Sequence, residues 1–238
     1  MNSKLTKFAL TATLGLAITL TLFACEEKEK KQTTAETPTA KPAAKVGEVG
    51  TLTDSRDGKK YKTVIMPDGE TWMAENMNYA KGGLCYDDKE SNCAKYGRLY
   101  NWETAMKVCP NGWKLPSQQE WENLAIAIGG DISNEDCYGC YEVTKLKSKS
   151  GWKAQNSGNS GNGTDDFGFS ALPGGEHCNN CDRTFDYDGI VGNWWTSTEY
   201  ETDGSDIAYE WRINNDFYIE KGSNSDKVTG YSVRCIKD

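Results

Sequence analysis

The sequence predicts an α+β domain: two helices packed on short, mostly antiparallel strands joined by long loops. Three observations carry this. Past residue 50 the order of signals is one hairpin, two helical stretches and then a run of short β-segments. The chain is rich in glycine, tryptophan and tyrosine (24, 8 and 12 residues) and its domain lacks long apolar runs, which favours strands and loops over a helical bundle. It also holds nine cysteines, the composition of a stapled framework.

The first element is a leader. Lys4 and Lys7 precede an uncharged, mostly apolar run, Phe8 to Phe23, too short for a membrane span of roughly 20 residues. It ends in Leu22-Phe23-Ala24-Cys25, which resembles the bacterial lipobox. The expectation is a lipoprotein signal peptide over 1–24 and lipidation of Cys25. Acyl chains contribute roughly 0.8 kcal/mol per buried CH₂, so two or three chains would hold the protein at the membrane permanently. The implied location is the cell envelope, lipid-anchored in the outer membrane. Residues 25–49 show no apolar periodicity and are rich in Glu, Lys, Thr, Ala and Pro, so they read as a disordered tether with an r.m.s. reach of roughly 25–30 Å. The run EEKEKK after Cys25 resembles signals that send some lipoproteins to the outer face of that membrane, and reads equally as a solvated spacer.

Residues 50–238 read as one domain, long enough for a real core. A hairpin spans Tyr61 to Ala74 with its turn at Pro67-Asp68-Gly69. The segment from Leu84 to Tyr100 reads as a loop closed by Cys85 and Cys93. Trp102, Ala105, Met106 and Cys109 fall at i, i+3, i+4, i+7, one inward face of a first helix over about 101–108, broken by Pro110 and Gly112. Ser117 and Glu120 form a capping box for a second helix with apolar face Trp121, Leu124, Ala125, Ile128 and a stop at Gly129-Gly130. The stretch AQNSGNSGNGTDD is irregular. FGFSALPGG, GNWWTSTEY, AYEWRI, DFYIEKG and GYSVRCIKD each read as a strand; Tyr209, Trp211 and Ile213 alternate with Glu210 and Arg212 at the two-residue period of a half-buried strand.

Beyond Cys25, eight cysteines remain: Cys85, Cys93, Cys109, Cys137, Cys140, Cys178, Cys181 and Cys235. An even number behind a signal peptide reads as disulfides. Cys137-x-x-Cys140 and Cys178-x-x-Cys181 also have zinc-ligand spacing. Export favours disulfides; local closure and cross-linking of these two pairs both stay open. Pairing Cys109 with Cys235 would tie a helix to the last strand and close a long loop, with a chain-entropy gain of roughly 5 kcal/mol against about 2 for a local bridge. The net charge of −8 argues against nucleic acid as a partner.

A family resemblance rests on DGKKYKTVIMPDGETWMAENMNYA, CAKYGRLYNWETAM, VCPNGWKLPSQQEW, DDFGFSALPGG, WWTSTE, AYEW and GYSVRCIKD. In this order they resemble the Fibrobacter succinogenes major paralogous domain, over nearly all of 50–238. That family is similar to the C-type lectin-like fold and to the formylglycine-generating enzymes that share it. The resemblance implies that Trp102, Ala105 and Cys109 match the lectin-like helix pattern and that Cys235 pairs with Cys109. The Glu-Pro-Asn, Gln-Pro-Asp and Trp-Asn-Asp triplets of calcium-dependent sugar binding are missing, so that activity does not carry over. The late cysteines are assigned structural roles, so oxidase activity does not carry over either.

The sequence holds no phosphate loop, nucleophile elbow or histidine-metal motif, and its single histidine, His177, reads as a loop residue. The chain is therefore expected not to be an enzyme and to need no cofactor. The Asp165-Asp166 pair in a Gly/Asn loop has the oxygen chemistry of a calcium site and equally that of a turn. Trp194 and Trp195 are adjacent, so on a strand they face opposite sides; one is core, and the other would be loop-covered or exposed. An exposed tryptophan with Tyr200 and Tyr187 would suit stacking on a sugar ring. The expected function is a monomeric envelope recognition module for polysaccharide or an envelope protein, with a purely structural role or a metal-dependent formylglycine-type oxidase as the alternatives.

Overall fold

The structure, a computed structural model, describes residues 45–131, 133, 142–178, 184–200, 206–216, 219–220 and 224–238. The leader, Cys25, Cys137, Cys140 and Cys181 lie outside the described residues. Among the described residues the chain is a mixed α/β fold with three α-helices and antiparallel sheets. In chain order the elements are β1 (Val49–Thr53), β2 (Lys60–Ile65), β3 (Thr71–Met73), α1 (Glu90–Tyr96), α2 (Trp102–Val108), β4 (Trp113–Lys114), α3 (Gln118–Ala127), β5 (Glu176–His177), β6 (Phe185–Asp186), β7 (Val191–Glu199), β8 (Ile207–Asn214), β9 (Ile219–Glu220), β10 (Asn224–Asp226) and β11 (Ile236–Lys237).

The first sheet has the order β1-β2-β3-β11-β4. Its hairpin is the expected one, with Val64 opposite Trp72. The turn closes because Gly69 donates to the Met66 carbonyl at 2.9 Å with φ +88°, a backbone region that favours glycine. Asp68 accepts from the Trp72 indole at 3.0 Å and fixes that ring at the hairpin mouth. β1 lies outside the expected elements. The fold already begins in the expected tether, because Gly47 donates to the Ile65 carbonyl and Val49 pairs with Val64.

The C-terminus returns to this sheet: Ile236 lies between Trp72 and Lys114. The Cys109–Cys235 disulfide fixes that return, with Cα atoms 5.8 Å apart. Helix α2 has Asn101 as N-cap, accepting from the Thr104 amide. Its buried residues are Ala105 and Val108, while Met106 is 42% exposed, which corrects the expected inward face. Cys109 already has extended ψ, so the helical count to i+7 does not reach it. Helix α3 matches its expectation: the Ser117–Glu120 capping box is complete, and Trp121, Leu124, Ala125 and Ile128 are buried.

Strands β7 and β8 form the longest pair, with Trp194 opposite Trp211 and Trp195 opposite Glu210. Both faces of this pair are covered. Trp194, Trp211 and Ile213 join a core with Trp72, Trp121 and Phe169, in which Trp121 and Trp211 stack at 5.6 Å. Trp195 and Ala208 join a second core with Tyr100, Tyr231 and Cys235. Glu210 is therefore buried as well, where simple alternation would expose it.

Two further expectations change. The segment from Leu84 to Tyr100 contains helix α1, stapled by Cys85–Cys93. FGFSALPGG is not a strand but makes isolated bridges at Ala171 and Gly175. Its backbone is used by side chains: the fully buried Arg234 donates to the Phe169 carbonyl and, at 2.7 Å, to the Ser170 carbonyl, and Ser170 donates to Asp165. A strand ladder would need those same groups.

Candidate binding site

At one end of β7 and β8 three loops enclose a groove of about 390 Å³. Its walls include Lys153 and Asn156 from the irregular loop, Tyr187 before β7, and Arg212, Asn214 and Asp216 at the end of β8. Each wall is anchored by backbone. Lys153 donates its amide to the Gly189 carbonyl at 2.7 Å, and Asn215 donates its side-chain amide to the Ala154 carbonyl at 2.9 Å. Gly189 has φ +74°, and a Cβ there would stand 3.0 Å from the Lys153 side chain, so glycine lets the two loops close on each other.

Tyr187 is the conspicuous side chain. It is 39% exposed, and its φ of +65° is a region that bulky residues rarely adopt. The conformation is held from both sides: its amide donates to Asp186 at 2.8 Å, and its carbonyl accepts from Ile190 and Val191 at 2.9 and 3.0 Å. The Arg212 guanidinium lies 5.6 Å from the ring centre, within cation–π range. Asp188 accepts from Lys153 at 3.4 Å and from the Tyr86 hydroxyl at 3.4 Å.

Beneath the groove lies Lys147, wholly buried, with its ammonium 4.3 Å from the Trp152 ring and 2.9 Å from the Asn214 carbonyl. Burial pushes its pKa down to about 8, while Asp216 pulls the other way. Beside Arg212, Asn193 donates to Glu176 at 2.9 Å, and burial raises the Glu176 carboxyl above its usual range although Arg212 opposes this. The groove thus presents amides, one carboxylate (Asp216), two cations and one aromatic face, and neither histidine nor cysteine lines it. This is hydrogen-bonding and stacking chemistry.

The other expected site residues fall elsewhere. Trp194 and Trp195 are fully buried, a correction to their assignment as binding candidates. The Trp194 indole donates to Asn76 at 2.9 Å and that of Trp195 to the Tyr100 carbonyl at 2.8 Å, so both are spent inside the fold. Tyr200 is half-buried and packs edge-on against Tyr209 at 5.3 Å, away from the groove. Asp165 takes two hydrogen bonds from Ser170, at 2.7 and 2.6 Å, the turn reading of that pair, and Asp166 is exposed. The only cluster with metal-ligand atoms among the described residues is Cys85, Glu90 and Cys93, whose two sulfurs are bonded to each other. His177 is buried against Phe185. Cys178 is disulfide-bonded. Lys153, Arg212, Asn214 and Asp216 were not legible as site residues, because only folding brings the irregular loop and the end of β8 to Tyr187.

The model of the Fibrobacter succinogenes major domain matches residues 67–237, which includes both helices of the sequence reading and every strand from β3 to β11. The chain belongs to this family. No curated protein and no solved structure matches the chain.

Proposed function

We propose, from that family membership as premise, that the chain is a lipid-anchored envelope protein whose C-type lectin-like domain recognises a saccharide without catalysis. The observation that carries the reading is Tyr187: an exposed aromatic ring, held at an unfavourable backbone angle, on the wall of a groove rich in amide and charged groups. Saccharides are bound through such pairs of flat apolar faces and hydrogen-bonding groups, and unfavourable backbone angles concentrate at ligand clamps. The Cys109–Cys235 bridge between the end of α2 and the last strand supports the lectin-like fold. Cys85, Cys93, Cys109, Cys178 and Cys235 are in disulfides, which favours a staple role over thiol-based oxidation. The lipobox-like Leu22 to Cys25 supports the anchor.

The test uses mature protein extracted in detergent on a polysaccharide and oligosaccharide array. Binding of at least one glycan is expected, and Tyr187→Ala should weaken it about tenfold with little change in thermal stability. Absence of glycan binding, or full binding by the variant, overturns the reading. The anchor is tested separately: an inhibitor of lipoprotein signal processing should leave a precursor, and normal maturation would remove that part of the proposal.

A further inference from the structure

A second cleft, of about 470 Å³, shares no lining residue with the groove at Tyr187. It lies between the turn joining β1 to β2, the loop around Lys81 and the outer face of α2. Arg56, Tyr79, Lys81, Glu103 and Lys107 line it. We propose that it binds an acidic sugar, one carrying a carboxylate or a phosphate beside free hydroxyls.

The first support is how Arg56 is built. Asp54 is fully buried and takes Arg56 Nε at 2.9 Å and Nη2 at 2.6 Å, and Nη2 also donates to the Val108 carbonyl at 2.6 Å, at the end of α2. The guanidinium is laid over the Tyr79 ring at 4.1 Å. Every part of the fork is fixed except Nη1, which has no partner among the described residues. A planar donor held in place before the ligand arrives loses little entropy on binding a carboxylate or phosphate.

The second support is charge. Residues 116–238 hold 21 Asp and Glu against 10 Lys and Arg, whereas 45–115 hold 10 against 11. The cleft lies wholly in the near-neutral stretch. Lys81 and Lys107 add two cations that line the same cleft as Arg56 and form no ion pair among the described residues. Glu103 is the one carboxylate on the wall. It opposes a bare anion but accepts hydrogen bonds from hydroxyls, so the lining suits a ligand that carries both.

The third is the close approach that shapes the wall. Gly82 has φ +78°, and a Cβ there would stand 2.9 Å from the Thr104 methyl, so glycine is what lets the loop lie against the first turn of α2. The volume accommodates a small sugar.

Calorimetric titration of the detergent-extracted mature protein tests this with two matched pairs: galacturonate against galactose, and glucose 6-phosphate against glucose. Binding of at least one acidic sugar is expected, with its neutral counterpart silent, and the pair that responds identifies carboxylate or phosphate. Lys81→Gln with Lys107→Gln, both exposed, should weaken it about tenfold or more, and about 0.5 M NaCl should do likewise. Tyr187→Ala should leave it unchanged, which separates this cleft from the groove. No binding of either acidic sugar, equal binding of a neutral one, undiminished binding by the double lysine variant, or loss on Tyr187→Ala would overturn the proposal.

Discussion

Buried polar side chains set much of this architecture one residue at a time. Asn76 accepts from Trp194 and from Arg234, both at 2.9 Å, and donates to the Tyr96 carbonyl at 2.8 Å, joining three distant segments through one amide. Such partners explain why Trp194 was misread: adjacency in sequence shows that two tryptophans face opposite ways, but not that both faces are covered. Lys147 gives the sharpest test at this scale. Its folded pKa, pushed down to about 8, lies below the ordinary 10.5. Below about pH 8 both folded and unfolded chains hold the proton, and the full burial penalty applies. Between about 8 and 10.5 the unfolded chain holds a proton the folded chain has released, so stability should rise with pH, by at most about 1.4 kcal/mol per unit. Tyr61 and Tyr86, pushed up to about 12 by burial, keep their protons longer in the folded state and reverse the slope above about pH 10. Urea unfolding at about pH 7.5, 8.5 and 9.5 should show the rise in wild type and lose it in Lys147→Met. Parallel curves would show that the ammonium is not desolvated as described.

Elements were legible where their own residues carry the signal. Helix α3 is the clearest case, because its cap, apolar face and stop are all local; the structure adds the Lys114–Glu120 ion pair at 2.8 Å and the Gln118 amide donating to Thr198 at 3.0 Å. Ser117→Ala should cost about 1 kcal/mol, since it strips the acceptor from the Glu120 amide. Thermal unfolding would reveal this, and an unchanged midpoint would mean that the tertiary contacts of α3 hold the helix without its cap. Helix α1 was not legible for the opposite reason. Its N-cap is Lys89, which makes no side-chain cap, and Asp87 and Asp88 before it sit at φ +54°, so the local pattern is that of a loop. Its order comes from the Cys85–Cys93 bridge and from Cys93 and Tyr96 being buried. The strand reading of FGFSALPGG failed because Arg234, far along the chain, claims its carbonyls. The groove at Tyr187 was partly legible as an aromatic in a polar loop; its remaining walls depend on the meeting of the irregular loop with the end of β8.

At the scale of the whole molecule the two described disulfides do different work. The Cys85–Cys93 bridge spans a separation of 8 residues, and the Cys109–Cys235 bridge spans 126. Chain-entropy estimates give roughly 2.5 kcal/mol for the short loop and roughly 5 for the long one. The long bridge has a second effect. It holds β11 between β3 and β4, so the last strand completes the sheet that the first strands begin, and Cys235 itself lies in the second core with Trp195 and Tyr231. Replacing Cys109 and Cys235 together by Ala should therefore lower the denaturation midpoint well beyond what the same change at Cys85 and Cys93 does. It should also expose the Trp195 side of the β7–β8 pair to quenchers of tryptophan fluorescence, because the Tyr231 to Cys235 segment that packs on Trp195 is no longer tied. The short-bridge variant should lose the order of α1 alone, seen as faster amide exchange over 85–96 with the rest protected. If both variants lose the same stability, the long bridge constrains the unfolded chain no more than the short one, and the return of β11 is held by its strand pairing and burial rather than by the covalent link.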